Sequence, residues 1–168
     1  MLFRSPVKKS AAVFDLANAS LSAYRTNNRI NHFLVRNLPP EAWRMTPPGG
    51  KGRTVAEMVA HIHNVRLMWL KASGAGGPAP PKLEGGEFTP GDAIEALTAS
   101  CQAVHDLLAG ALKGDGRIKS FKPDVASFLG YLFAHDAHHR GQISMLARQL
   151  GHPLSKSAMF GMWEWGTR

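Results

Sequence analysis

Apolar positions recur at intervals of three and four through four long stretches of the chain, the period of a helix with one buried face. In the first stretch Phe14, Ala17, Leu21 and Tyr24 lead through Asn28 to Ile30, Phe33, Leu34 and Leu38, and Pro39-Pro40 stops the run. The pattern predicts a helix over about residues 10–38. The second stretch opens on Thr54-Val-Ala-Glu57, a capping box in which hydroxyl and carboxylate each satisfy a free amide. Val55, Met58, Ile62, Val65 and Trp69 then mark one face of a helix that reaches about Ala72, and His61 lies nearer that face than His63. In the third, Thr89 caps, Pro90 occupies the first helical position and Asp92 complements the helix dipole. Ile94, Leu97, Cys101, Val104 and Leu108 point inward as far as about Leu112, with His105 at the boundary. The fourth helix starts near Pro123 or Asp124 and ends at Gly151, with His152-Pro153 as the stop.

No stretch alternates with the period of a strand. Residues 39–53 and 73–88 are rich in proline and glycine, so they read as long loops, the first anchored by Trp43. Residues 1–9 read as an arm. The tail carries Phe160, Trp163 and Trp165, too much aromatic surface to leave in water, and is expected to pack across the bundle or against a partner chain. The expected fold is all-α, a four-helix bundle with long loops and an aromatic C-terminal tail. Residues 1–168 are expected to form a single domain, with its core at about 10–151 and the tail at 152–168. Periodicity leaves open which neighbouring helices run parallel.

A length of 168 residues suits one domain, and 44% hydrophobic content is ordinary for a globular chain. No apolar run approaches the roughly 18 residues of a membrane span. The N-terminus lacks the apolar segment and cleavage site of a secretory signal, so a cytoplasmic location with no membrane partner is expected. A single cysteine, Cys101, excludes an internal disulfide and a cysteine-based zinc knuckle. The net charge of +8 would attract nucleic acid, but Lys and Arg are scattered without blocks or aromatic interleaving. Nucleic acid is therefore disfavoured as a partner.

Chemistry concentrates in Ala134 to Ile143, where three of the eight histidines fall within five positions. His135 and His139 are one turn apart and share a stripe with Phe128, Leu132, Leu146 and Leu150, which aims both imidazoles into the bundle. Unpartnered buried polar groups cost about 1–3 kcal/mol each, so a shared ion or dedicated hydrogen bonds must compensate. Two imidazoles are too few for a transition metal, and His61 on the second helix is the best third donor. Three neutral imidazoles leave a position open, as a catalytic site needs. His138 lies about 80° off the stripe, behind the ligands or at the surface. Asp136 flanks the stripe, either orienting a ligand imidazole from a neighbouring helix or serving as a solvated charge. Nucleophile elbow, phosphate-binding loop, dinucleotide fingerprint and the Glu-x-x-His pairs of di-iron bundles are all missing. The pattern favours a mononuclear site and marks no catalytic acid or base.

Tyr24 through Asn28, the run Thr54-Val-Ala-Glu-Met-Val-Ala-His61-Ile62 with Trp69 after it, and above all His135-Asp-Ala-His-His-Arg-Gly-Gln142 resemble the DinB/YfiT-like superfamily of bacterial four-helix-bundle proteins. The resemblance runs from about residue 14 to 150. It implies an up-down-down-up bundle, a homodimer, and a divalent metal on three histidines that correspond to His61, His135 and His139. It also sets Arg140-Gly141-Gln142 beside the site, with Gln142 near the ligand stripe. Zinc or nickel is the expected metal, with manganese or iron as alternatives. The activity implied is a metal-dependent transferase acting on a small molecule with a low-molecular-weight thiol, or a hydrolase. The alternative is a non-catalytic metal-binding or stress-response protein, with DNA binding behind it.

Overall fold

A computed structural model of the chain describes residues 13–85 and 87–168. Five α-helices are present among them: α1 (Leu16–Asn37), α2 (Val55–Ser73), α3 (Pro90–Lys113), α4 (Val125–Gln149) and a short α5 (Lys156–Gly161). The four long ones match the expected helices. Their starts are set by local caps: Thr54 with Glu57 and Thr89 with Asp92 form reciprocal capping boxes, and Asp124 accepts from the Ser127 amide. The first helix begins later than its periodicity suggests. Asp15 accepts from the amide of Asn18 at 2.9 Å and closes the start of α1, leaving Phe14 75% exposed. Residues 10–12 of the expected helix and the expected arm lie outside the described residues.

Two apolar clusters fix how the helices run. One joins Leu34 and Leu38 at the end of α1, Val55 and Val59 at the start of α2, Ala93 and Leu97 at the start of α3, and Ile143 and Leu146 near the end of α4. The other joins Tyr24, Leu70, Leu108 and Phe128 from the opposite ends of the same helices. Helices α1 and α4 therefore run one way and α2 and α3 the other, an up-down-down-up bundle. Around it α1 packs on α3 and α4, and α2 packs on α3 and α4. The connection from α2 to α3 is long for this reason: parallel helices must be joined by a segment that returns along the bundle.

The first long loop is anchored as expected. Trp43 is buried, donates its indole N–H to the Phe88 carbonyl at 3.1 Å and meets the Phe88 ring edge-on at 6.0 Å. In the tail, Leu154 and Ala158 are buried and α5 packs against α1. The Arg168 guanidinium lies 3.8 Å from the centre of the Phe33 ring. The tail thus packs across the bundle, yet Phe160 and Trp163 stay 63% and 79% exposed. No helix among the described residues is long and apolar enough to cross a membrane.

Between the two apolar clusters lies a polar layer. Asn27, Asn28 and Asn31 of α1, His63 and Arg66 of α2, Ser100 of α3 and Asp136 of α4 are all buried there. Polar side chains at this depth must pair with one another, and the pairing reaches His135 through Asp136.

Candidate metal centre

Helices α2 and α4 are neighbours, and the three expected histidines meet across their seam. One potential ligand atom from each of His61, His135 and His139 can be chosen so that all lie within 4.8 Å of one another. Ring centres are 5.3 Å apart for His61 and His135, 4.6 Å for His61 and His139, and 4.5 Å for His135 and His139. His139 is buried, whereas His61 and His135 are half-buried. The helical wheel misjudged α2 in one respect: His63 is fully buried and His61 is not. The connection after α2 covers His63, whose Nε2 lies 2.9 Å from the Pro81 carbonyl, so depth in this helix follows the loop as well as the seam.

His139 is held for one task. Its Nδ1 lies 2.8 Å from Gln142 Oε1, an acceptor, so Nδ1 carries the hydrogen and the Nε2 lone pair remains free. Burial, followed by the nearby Arg53, His139 and His135, lowers the pKa of His61 to about 4. Burial likewise lowers that of His139, with Gln142 opposing and His135, His138 and Arg53 reinforcing. Both imidazoles are therefore neutral near pH 7, the form that donates a lone pair to a metal.

Asp136 is not a solvated charge. Its carboxylate is 1% exposed, and Oδ2 accepts from Arg66 Nη2 at 2.7 Å and from Asn27 and Asn31 Nδ2 at 2.8 Å each. Burial alone would raise its pKa, but the Arg66 guanidinium and these hydrogen bonds hold it at about 2. The other oxygen, Oδ1, is buried without a hydrogen-bond partner and faces His135 Nδ1 at 3.7 Å. The imidazole that Asp136 faces is thus its neighbour in sequence, not one on another helix. Arg66 is locked in turn, with Nη1 donating to Asn28 Oδ1 at 2.7 Å and to the Leu97 carbonyl at 3.2 Å.

Arg140, one turn after Asp136 on the same face of α4, completes the clamp. Its Nη1 donates to Asn27 Oδ1 at 2.9 Å and Asn31 Oδ1 at 2.7 Å. Each asparagine so passes one hydrogen bond from Arg140 towards Asp136. His138 is exposed, its ring 5.0 Å from that of His139, and it stands outside the three-histidine group. Tyr131 stacks on His135 with centres 5.9 Å apart and continues into Trp69 at 5.6 Å, so an aromatic wall leads away from the site.

Sequence reasoning missed Arg66, Asn27, Asn31 and Tyr131. Asn27 and Asn31, one turn apart on the stretch that leads from Tyr24 to Leu34 and Leu38, were the available signal, since amides in a helix seam demand partners. The donor set present suits a divalent transition ion: three imidazoles, one with its second nitrogen engaged and another facing a carboxylate, as histidine ligands commonly are.

No curated protein matches the chain. A crystal structure of a protein from Exiguobacterium sibiricum assigned to the DinB family is 21% identical and superposes with a TM-score of 0.60, covering 88% of this chain and 99% of the other. At that identity the likeness establishes a shared fold. The model of the DinB family itself matches residues 14–162, from just before α1 to just after α5, and the chain therefore belongs to the DinB family.

Proposed function

We propose that this DinB-family protein is a metal-dependent enzyme of the thiol-dependent transferase or hydrolase type, with one divalent ion held by His61, His135 and His139. The observation that carries the reading is the convergence of three imidazole donors within 4.8 Å, on two helices fixed by the buried core. A zinc or nickel ion there, with manganese or iron as alternatives, would act as a Lewis acid and lower the pKa of a thiol or water beside it. The protein's own side chains prepare the place. Gln142 keeps the proton of His139 on Nδ1, and Asp136 Oδ1 stands ready to take the Nδ1 hydrogen of His135. Tyr131 and Trp69 offer an apolar wall against which a substrate body can rest. Arg53, near enough to depress the pKa of His61 and His139, favours an anionic nucleophile or substrate.

Elemental analysis of protein purified without an affinity tag tests the centre. About one divalent transition ion per chain is expected in the wild type and none in His139→Ala, with the helical circular dichroism unchanged. A variant that keeps its full complement of metal would sink the assignment. A screen of the metal-loaded protein against thiol-plus-electrophile pairs and simple esters then separates enzyme from binder. Metal-dependent turnover supports the enzyme, and its absence throughout both panels favours the non-catalytic metal-binding protein.

A further inference from the structure

On the face of α4 turned towards the tail lies a cavity of about 670 Å³, within the range of roughly 300–1,000 Å³ usual for small-molecule sites. Its walls are Phe133 and Met145 from α4, Leu154, and Met162, Trp163 and Trp165 from the tail. Met145 and Trp163 are 63% and 79% exposed and Trp165 40%, so aromatic and thioether surface is left turned to solvent around one concavity. Two guanidinium groups break this apolar lining. Arg140 sits at the inner wall, oriented by Asn27 and Asn31 through Nη1, and Arg148 lines the cavity two turns further along α4. No acidic side chain among the described residues lines it.

We propose that this cavity binds an amphipathic anion, a carboxylate with an apolar body, with its headgroup at Arg140 and Arg148. Guanidinium groups pair with carboxylate through two parallel hydrogen bonds, and apolar walls around them strengthen the attraction. Methionine and tryptophan adapt to an alkyl or aryl body. The same charges disfavour a second copy of this chain as the occupant, because a two-fold contact through this face would bring arginines of both copies into one apolar interface. None of the three histidines lines the cavity, so the proposal does not rest on the reading of the metal centre.

Calorimetric titration of the full chain with sodium decanoate, below its micelle concentration, tests the assignment, with decanol as the uncharged counterpart. One decanoate per chain with saturable binding is expected, and decanol at least tenfold weaker. Arg148→Glu should weaken decanoate at least tenfold. Gly141 also lines the cavity and has nothing within 4 Å of an added Cβ, so Gly141→Leu fills the space and should abolish binding with the helical signal retained. Absent or non-saturating binding, equal affinity for decanol, or wild-type affinity in both variants would overturn the proposal. So would sedimentation showing a dimer that decanoate leaves intact and that Gly141→Leu disrupts, since a second copy would then own this face.

Discussion

At the scale of single residues, the site divides into the imidazoles that converge between α2 and α4 and the side chains that hold them. Gln142 belongs to the second kind: exposed itself, it fixes which nitrogen of His139 carries the proton. Gln142→Leu should leave stability almost unchanged and weaken metal binding by about 10–100-fold, the usual cost of removing such an outer partner. Competition against a chromophoric chelator measures this, and wild-type affinity in the variant would show that the Gln142 contact is idle. Arg66 has a larger structural share. With Arg66→Met the Asp136 carboxylate loses its buried counter-charge, and the loss of one partner of a buried ion pair typically costs about 3–5 kcal/mol. Urea denaturation of single and double variants reads it out. Arg66→Met with Asp136→Leu should recover part of the loss, because no unpaired charge is left inside.

The elements show why local caps predict helix starts better than apolar periodicity does. Capping boxes are short-range and act within one turn, so the starts of α2 and α3 were legible at Thr54 and Thr89. The start of α1 was not, because Phe14 continues the apolar spacing past the Asp15 cap although it is 75% exposed. Helix α2 carries His61 in its second turn, so its start matters to the site. Thr54→Ala removes the hydroxyl that accepts from the Glu57 amide and should lower global stability by about 1 kcal/mol, with Thr54→Ser close to wild type. Equal urea midpoints for all three proteins would show that α2 is held by packing alone. The same helix shows the limit of the wheel: the greater depth expected of His61 than of His63 was overridden by a loop carbonyl that covers His63.

Across the whole molecule, stability is coupled to pH through imidazoles that the fold keeps neutral. His32 of α1 is half-buried, its Nε2 lies 3.0 Å from Asn28 Nδ2, and its pKa is lowered from 6.5 to about 4 by burial, then by Arg36, Arg66 and Arg29. The unfolded chain therefore takes up the proton at a higher pH than the folded one does. Stability should be full above about pH 6.5 and fall as pH drops towards about 4, where the folded state protonates too. Metal-free His61 acts in the same direction. Urea midpoints measured between pH 7.5 and 4.5 on metal-free protein should decline, and His32→Gln should flatten part of the slope. A slope that His32→Gln leaves unchanged would assign the effect to other groups.

The sequence by itself determined the helices, their approximate limits and the two histidines one turn apart on α4, because each of these is written in spacing and caps that act within a few residues. With the helix-2 histidine it also marked the three residues that converge. Direction and depth belonged to the tertiary structure. That α1 and α4 run against α2 and α3 rests on which ends share an apolar cluster. That Asp136 is a buried anion rests on Arg66, 70 positions away, and on Asn31 and Asn27, 105 and 109 positions away. A charged residue on a helix is solvated or buried according to what the opposing helices present, and no local pattern carries that information. The aromatic tail depended on the same decision: its composition required a surface to cover, and only the packed bundle showed that it covers α1 while leaving an arginine-lined cavity against α4.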